Sequence, residues 1–142
     1  MSEVEATPIR CFIDTNIWLY AFIETGDEQK RLTAKSTIQK PDVIVSTQVI
    51  NEICVNLLKQ VSQPEEDIQK LISAFYEKYT VVDVDRAALL KASELRERYS
   101  LSYWDSLIVA NALNAECGVL YSEDMQDGLQ VEGRLMMVNP IK

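Results

Sequence analysis

The 142-residue sequence predicts an α/β fold in which helices flank a mostly parallel central sheet of about five strands. Short apolar runs typical of strands alternate along the chain with longer stretches whose apolar residues have helical spacing. The four glycines and four prolines lie mostly between these runs, and no internal repeat or low-complexity segment is present. We therefore expect one domain over residues 1–142, since this length is typical of a single hydrophobic core.

The expected strands are short runs of apolar residues. They cover residues 9–14, 42–46, 80–84, 118–122 and 135–139. Right-handed crossover connections place the carboxyl ends of parallel strands along one edge of the sheet, where ligands bind in such folds. Asp14 ends the first strand and Asp124 follows the fourth, so we expect both carboxylates at that edge.

The expected helices show start and stop signals as well as periodicity. They cover residues 16–24, 27–40, 47–61, 64–79, 85–99 and 103–116. Ser46 or Thr47 is placed to cap the third helix, and Pro64 followed by acidic residues is typical of a helix start. The last helix is nearly all apolar, so we expect it to be deeply buried from its beginning at Trp104.

The composition excludes several classes of site. The chain has no histidine, which rules out histidine-based acid–base catalysis, histidine-assisted nucleophiles and most zinc sites with nitrogen ligands. The net charge is −8, so the protein does not bind nucleic acid through a general positive field. Contact with a polyanion would require local basic patches or bound cations.

The expected location is the cytoplasm, away from any membrane. No apolar run approaches the roughly 18 residues that span a bilayer, and the acidic N-terminus does not resemble a targeting peptide. The cysteines, Cys11, Cys54 and Cys117, are odd in number and lie in apolar contexts. Reduced, buried thiols are the expected state, which favours a cytoplasmic protein.

Three acidic residues fall at junctions between elements, and each has an ordinary structural explanation beside a functional one. Asp14 can cap the helix that follows it. Glu52 lies on its helix opposite the apolar stripe, as a surface residue would, yet it is near enough to the strand end to lean over the same edge. Asp105 completes a capping box with Ser102, although its apolar neighbours indicate a buried carboxylate, which is costly unless paired or bound to a cation.

A fourth acid comes from the polar segment "YSEDMQDG", where Glu123 and Asp127 compete with Asp124 for a functional role. Each of these residues alone can be a solvated turn residue. Four carboxylates that meet at one edge repel one another unless a cation neutralises them. Ligands that are all oxygen atoms select Mg²⁺ or Mn²⁺ over zinc. We therefore predict a divalent metal site.

Four segments in this order resemble the PIN-domain ribonucleases, and within them the VapC-type toxins of type II toxin–antitoxin pairs. The segments are "FIDTNIWLYAF", "INEI", "YWDSLIVANAL" and "LYSEDMQDG". The resemblance covers nearly the whole chain and implies a three-layer α/β fold. It places the acidic metal set on Asp14, Glu52, Asp105 and Asp124, with polar positions near the metal at Asn16 and Ser122.

Two departures from the family pattern leave the fourth acid open. The family usually has Thr where Ser122 stands, and it often has an aromatic residue soon after the fourth acid, where this sequence has "MQDG". Asp127 therefore remains an alternative to Asp124. The basic residues Arg96 and Arg98 precede the helix of Asp105. They can belong to a solvated helix face, and they are also the candidates for RNA contact because they lie near the acids.

The resemblance implies a metal-dependent endoribonuclease with Mg²⁺ or Mn²⁺, an RNA substrate, a cognate antitoxin and a homodimer. The alternatives are an RNA-processing or repair nuclease without an antitoxin, and a non-catalytic binding module with the same fold. A phosphoaspartate receiver lacks support because no acid pair follows the first strand. A dehalogenase-type phosphatase lacks support because Asn16 stands where its second aspartate would be.

Overall fold

The computed structural model describes residues 8–23 and 26–142, and within them six strands form a single sheet. Strands β1 to β6 are Cys11–Ile13, Val43–Ser46, Thr80–Val82, Val119–Tyr121, Gln130–Val131 and Leu135–Val138. Helices α1 to α6 are Thr15–Phe22, Glu28–Thr37, Thr47–Gln60, Glu65–Lys78, Arg86–Arg98 and Tyr103–Asn114. The strand order is β3-β2-β1-β4-β6-β5, and only the β5–β6 pair among these is antiparallel. The predicted α/β fold with a mostly parallel sheet is confirmed.

The predicted elements are present, and most have narrower bounds. Helix α1 begins one residue earlier than predicted, at Thr15, and the structure adds one strand. Strand β5 has two residues, which is too short for any periodicity to reveal it. It joins β6 through a turn at Glu132 and Gly133, both of which have positive φ. Residues 1–7 of the N-terminal segment and the Glu24 end of the first predicted helix lie outside the described residues.

Strand β1 lies inside the sheet, between β2 and β4, and its side chains are buried. Helix α1 follows it directly and is fixed to it by Trp18, whose indole nitrogen donates to the carbonyl of Ile13 at 3.0 Å. The Trp18 ring meets Phe75 and Tyr79 edge-on, with centroids 5.0 and 5.1 Å apart. This cluster joins α1 and α4 beside the carboxyl end of β1.

The predicted caps are confirmed, and so is the burial of the thiols. Ser46 accepts a hydrogen bond from the backbone nitrogen of Val49 at 3.2 Å, and Ser102 accepts one from Asp105 at 3.1 Å. The cysteines Cys11, Cys54 and Cys117 are buried and free of disulfides. No helix within the described ranges is both long and apolar enough to span a bilayer.

The expectation of a buried start for α6 is wrong. Burial runs from Ser106 to Leu113, whereas Tyr103 and Trp104 keep 51% and 62% of their surface exposed. The apolar composition of α6 identified a buried helix but not the residue at which that helix leaves the core. That residue depends on neighbouring elements, and α6 packs mainly against α5.

The two tryptophans give a matched test of this packing. We expect Trp18→Phe to lower the free energy of unfolding by about 1–3 kcal/mol, because it loses volume and the bond to the Ile13 carbonyl. Trp104→Phe, at the exposed position, should change it by less than about 0.5 kcal/mol. Urea titrations of both variants provide the measurement, and equal losses would contradict the assignment of Trp18 to the core.

Candidate active site

A cavity of about 350 Å³ brings together the four predicted acids, Asp14, Glu52, Asp105 and Asp124. They come from the end of β1, from α3, from the first turn of α6 and from the loop after β4. The cavity is also lined by Thr15, Asn16, Asn51 and Trp104, among others. The four junctions therefore meet at one place, as the predicted parallel topology required.

Asp14 is both a helix cap and a cavity residue. Its Oδ1 accepts from the backbone nitrogen of Thr15 at 2.7 Å, and its Oδ2 accepts from the Ser122 hydroxyl at 2.8 Å. Its backbone nitrogen donates to the carbonyl of Tyr121 at 2.9 Å, which continues the β1–β4 ladder. Only 6% of the residue is exposed, so this carboxylate is held at the cavity in one position.

Glu52 reaches the cavity from α3 and is half-buried. The Thr15 hydroxyl donates to its Oε2 at 2.7 Å, and the Gln48 amide donates to its Oε1 at 3.3 Å. The interpretation of Glu52 as a solvated surface residue therefore does not describe its surroundings. Gln48 lies one helical turn before Glu52, so the (i, i+4) spacing was a signal that sequence reasoning did not use.

Asp124 faces the cavity and Asp127 does not. The Asn16 amide donates to the Asp124 carboxylate, and the Asp124 backbone nitrogen donates to the Ser122 hydroxyl at 3.3 Å. Asp127 instead accepts from the backbone nitrogen of Asn139 at 2.8 Å and pairs with Lys142. The geometry thus favours Asp124 as the fourth acid of the cavity, with Asn16 and Ser122 as its supports.

A family model described as the PIN domain matches residues 11–127. The chain belongs to the PIN-domain family. By sequence, no curated protein matches it.

Solved structures share the fold of this PIN domain at low sequence identity. A chain of a toxin–antitoxin complex from Klebsiella pneumoniae is 20% identical, with a TM-score of 0.67 over 92% of this chain and 97% of that one. VapC20 from Mycobacterium tuberculosis, a sarcin–ricin loop cleaving toxin, is 21% identical, with a TM-score of 0.61 over 78% and 86%. A chain of VapBC2 from Rickettsia felis, bound to promoter DNA, is 16% identical, with a TM-score of 0.64 over 91% and 97%.

Two of the acids of this PIN domain, Asp14 and Asp105, have raised pKa values. Burial is the main cause that raises the pKa of Asp14 to about 6, with smaller contributions from the charges of Asp105 and Glu52. The hydrogen bonds from Ser122 and Thr15 act in the opposite direction. Burial also raises the pKa of Asp105, and the charges of Asp124 and Glu52 add to that effect. A cation in the cavity would relieve both costs.

The donor set fits a hard divalent cation, since four carboxylates and neighbouring amide and hydroxyl groups supply only oxygen ligands. No group of three or more His, Cys, Asp or Glu side chains in the described ranges is arranged to hold a metal ion as it stands. Thr15, Ser122 and Asn16 each donate a hydrogen bond to one of the carboxylates, those of Glu52, Asp14 and Asp124 respectively.

The two predicted RNA-binding residues have different surroundings. Arg96 donates to the Ser106 hydroxyl at 2.7 Å and lies over the Tyr103 ring, 4.6 Å from its centroid, next to the helix turn of Asp105. Arg98 pairs with Glu132 at 3.5 Å, on the turn between β5 and β6. Arg96 is thus the nearer of the two to the first turn of α6. Their contact with RNA remains a prediction.

Sequence reasoning assigned no role to two residues that line the cavity. Thr15 lies within the "DTN" segment, and its hydroxyl orients Glu52. Trp104 precedes Asp105 and forms part of the cavity wall. The adjacency of each residue to a predicted acid was the available signal.

The buried carboxylate predicts a pH dependence of stability in the metal-free protein. Because the folded Asp14 keeps its proton up to pH about 6, against 3.8 for an ordinary group, the folded state binds more protons in this window. Stability is therefore present below pH 3.8 and is lost as the pH rises through about 6. By pH 7 the loss should be at most about 3 kcal/mol.

In EDTA, Asp14→Asn should flatten this decline in urea titrations between pH 4 and pH 7. Asp127→Asn is the control, because Lys142 chiefly lowers the pKa of that carboxyl group. Asp127→Asn should show the same fall in the free energy of unfolding between pH 4 and pH 7 as the wild type. An unchanged decline in Asp14→Asn would contradict the assignment to Asp14.

Proposed function

We propose that this chain, as one domain over residues 1–142, is a metal-dependent endoribonuclease and the toxin of a type II toxin–antitoxin pair. The observation that carries the proposal is the meeting of four carboxylates around one cavity in a PIN domain. Support also comes from VapC20, which shares the fold and is described as a toxin that cleaves the sarcin–ricin loop. The buried free thiols favour the cytoplasm as the place of action.

The proposed ligands of Mg²⁺ or Mn²⁺ are the carboxylates of Asp14, Glu52, Asp105 and Asp124. When bound, the cation supplies an activated water and stabilises charge on the phosphate in the transition state. Such chemistry needs no histidine, in agreement with a chain that has none.

The neighbouring side chains have the role of orienting these ligands. Ser122 and the Thr15 backbone hold both oxygens of Asp14, and the Thr15 hydroxyl holds Glu52. Asn16 holds Asp124, the most exposed of the four acids. Fixed ligands reduce the reorganisation that the reaction requires, and loss of one such support typically costs about 10–100-fold in metal affinity or activity.

The neighbouring acids Asp124 and Asp127 give a matched test of the site. We expect purified protein to cut single-stranded or loop RNA with Mg²⁺ or Mn²⁺ and to stop in EDTA. Asp124→Asn should lose more than the roughly 10–100-fold that a supporting residue costs, and it should weaken Mn²⁺ binding in calorimetry. Asp127→Asn should behave as the wild type, since its side chain faces Lys142.

Three results would count against this site. Equal cleavage in EDTA would exclude the metal. Loss of activity in Asp127→Asn alone would move the fourth acid to that position. A lower melting temperature with full activity in Asp105→Asn would mean that Asp105 serves only the first turn of α6, next to its cap at Ser102.

We also propose a homodimer and an antitoxin partner. The solved relatives from Klebsiella pneumoniae and Rickettsia felis are described as toxin–antitoxin assemblies. A cluster of carboxylates attracts a cation, and an arginine of the partner can take that place with a bidentate grip near Asp14 and Asp105. Such a contact would block RNA and compete with the metal.

Expression in a bacterial host tests the toxin assignment. The wild-type chain should arrest growth, Asp124→Asn should not, and co-expression of the small protein encoded beside it should restore growth. Light scattering should give twice the 16.2 kDa chain mass. The rate of association with the antitoxin should fall as salt rises. The net charge of this chain is −8, and salt screens its attraction to the basic segment of the antitoxin.

The outcomes separate the alternatives. A chain that cuts RNA but is harmless at high expression would be an RNA-processing or repair nuclease without an antitoxin. A chain that binds RNA but cuts none with any divalent cation would be a non-catalytic binding module.

A further inference from the structure

Two large aromatic side chains are exposed beside the acids at the start of α6. Tyr103 and Trp104 keep 51% and 62% of their surface exposed, immediately before Asp105. Trp104 lines the acid cavity on one side and a larger, mainly apolar groove of about 690 Å³ on the other. An exposed indole next to a proposed catalytic centre calls for a ligand with a flat apolar face.

The indole is restrained by its neighbours. Tyr103 meets Trp104 edge-on, with ring centroids 5.2 Å apart and an interplanar angle of 82°. The Arg96 guanidinium lies over Tyr103, 4.6 Å from the ring centroid, and is itself held by the Ser106 hydroxyl at 2.7 Å. Arg96, Tyr103 and Trp104 thus form a series of contacts, which we call the aromatic step. A restrained ring loses little conformational entropy when a ligand stacks on it.

The backbone of the aromatic step is tied to the acids. The Gln48 amide donates to the Trp104 carbonyl at 3.4 Å and also to Glu52 at 3.3 Å. Trp104 and the four acids line the same cavity. A phosphodiester bound in this cavity through a cation would therefore place an adjoining nucleotide against the indole.

The charge distribution favours a nucleic acid on this surface. Among the ion pairs of the described residues, none includes Arg96, whereas Lys30 pairs with Glu123 and Arg98 with Glu132. The positive charge of Arg96 thus remains available to a phosphate. A second protein copy packed over Trp104 would bury the wall that carries Asp105 and Glu52, and a buried carboxylate without a counter-charge is costly.

We propose that the Trp104 indole stacks on an unpaired base next to a phosphodiester bound in the acid cavity through a cation, with Tyr103 and Arg96 as positioning residues. This inference rests on the proposed ribonuclease function and assigns to Trp104 the recognition of an unpaired base in its single-stranded or loop RNA substrate. Bases within a duplex are already stacked on their neighbours, and only an unpaired base can place its face on an aromatic ring.

The two tryptophans make the stacking directly observable. Trp18 is buried and Trp104 is exposed, so quenching of tryptophan fluorescence by RNA would report on Trp104. The parent protein is Asp124→Asn, which is expected to bind RNA in Mg²⁺ with little cleavage. The probes are a short single-stranded RNA of mixed sequence and its fully paired duplex, each with a terminal dye for anisotropy.

Trp104→Leu should weaken binding of the single strand by about 5- to 100-fold, the range for loss of one base–aromatic stack, and should abolish the quenching. Trp104→Phe should retain most of the affinity. Tyr76→Leu is the matched control, because Tyr76 is 55% exposed in the same apolar groove but does not line the acid cavity. It should leave affinity and quenching unchanged. The duplex should bind more weakly than the single strand and should not respond to Trp104→Leu.

Two results together would overturn the inference and leave the ribonuclease proposal intact. They are an RNA affinity of Trp104→Leu equal to that of the parent, and no quenching of the parent's tryptophan fluorescence by RNA. The inference would also be overturned if Trp104→Leu and Tyr76→Leu both converted a dimer to a monomer and left RNA affinity unchanged. The groove would then be an interface between two protein copies. If the wild-type chain neither binds nor cuts RNA, the proposed function fails, and the inference fails with it. Melting temperatures of the variants equal to that of the parent exclude misfolding as the cause of any loss.

Discussion

The burial of the Asp14 carboxylate at the carboxyl end of β1 constrains everything else at the site. Its two oxygens accept from Thr15 and Ser122, so the start of α1 and the end of the β4 segment are both tied to it. Because β1 lies between β2 and β4, this contact sits where three parallel strands end together. A charged group in such a place is tolerated only with hydrogen bonds and a counter-charge. The hydrogen bonds come from the fold, and a bound cation would supply the counter-charge.

The other acids of the cavity increase the need for a counter-charge near Asp14. Burial is the main cause that raises the pKa of Asp14 and of Asp105. The charges of Asp105 and Glu52 add to the effect on Asp14, and those of Asp124 and Glu52 add to the effect on Asp105. Hydrogen bonds donated by Thr15, Gln48 and Asn16 fix Glu52 and Asp124 without neutralising them. Repulsion and burial of these charges therefore destabilise the metal-free fold at the cavity, and cation binding would raise the free energy of unfolding. This coupling is the physical reason to regard the acids as one unit.

The aromatic step lies directly beside the acid cavity, so the fold places a candidate base-binding surface next to the candidate catalytic groups. Helix α6 has its buried length against the core, whereas its first turn carries Asp105 into the cavity and leaves Trp104 at the surface. Gln48 connects that turn to Glu52 on α3. A base on the indole and a phosphate in the acid cavity would thus both be positioned by the first turn of α6. A displacement of that turn would change both contacts.

Local patterns in the sequence determined the order of the elements, a cap at Ser46 or Thr47 and one at Ser102, and the candidate acids Asp14, Glu52 and Asp105. These features depend on neighbouring residues and on the regular geometry of parallel sheets, so no long-range contact was needed to predict them. The choice between Asp124 and Asp127 was different, since both occupy one polar loop. Contacts with Asn16 and Lys142, each far away along the chain, turn the first residue toward the cavity and the second away from it. The exposure of Trp104 and the separate surroundings of Arg96 and Arg98 were likewise decided by tertiary packing, because an amino-acid pattern records polarity and spacing but not which distant surface covers a side chain.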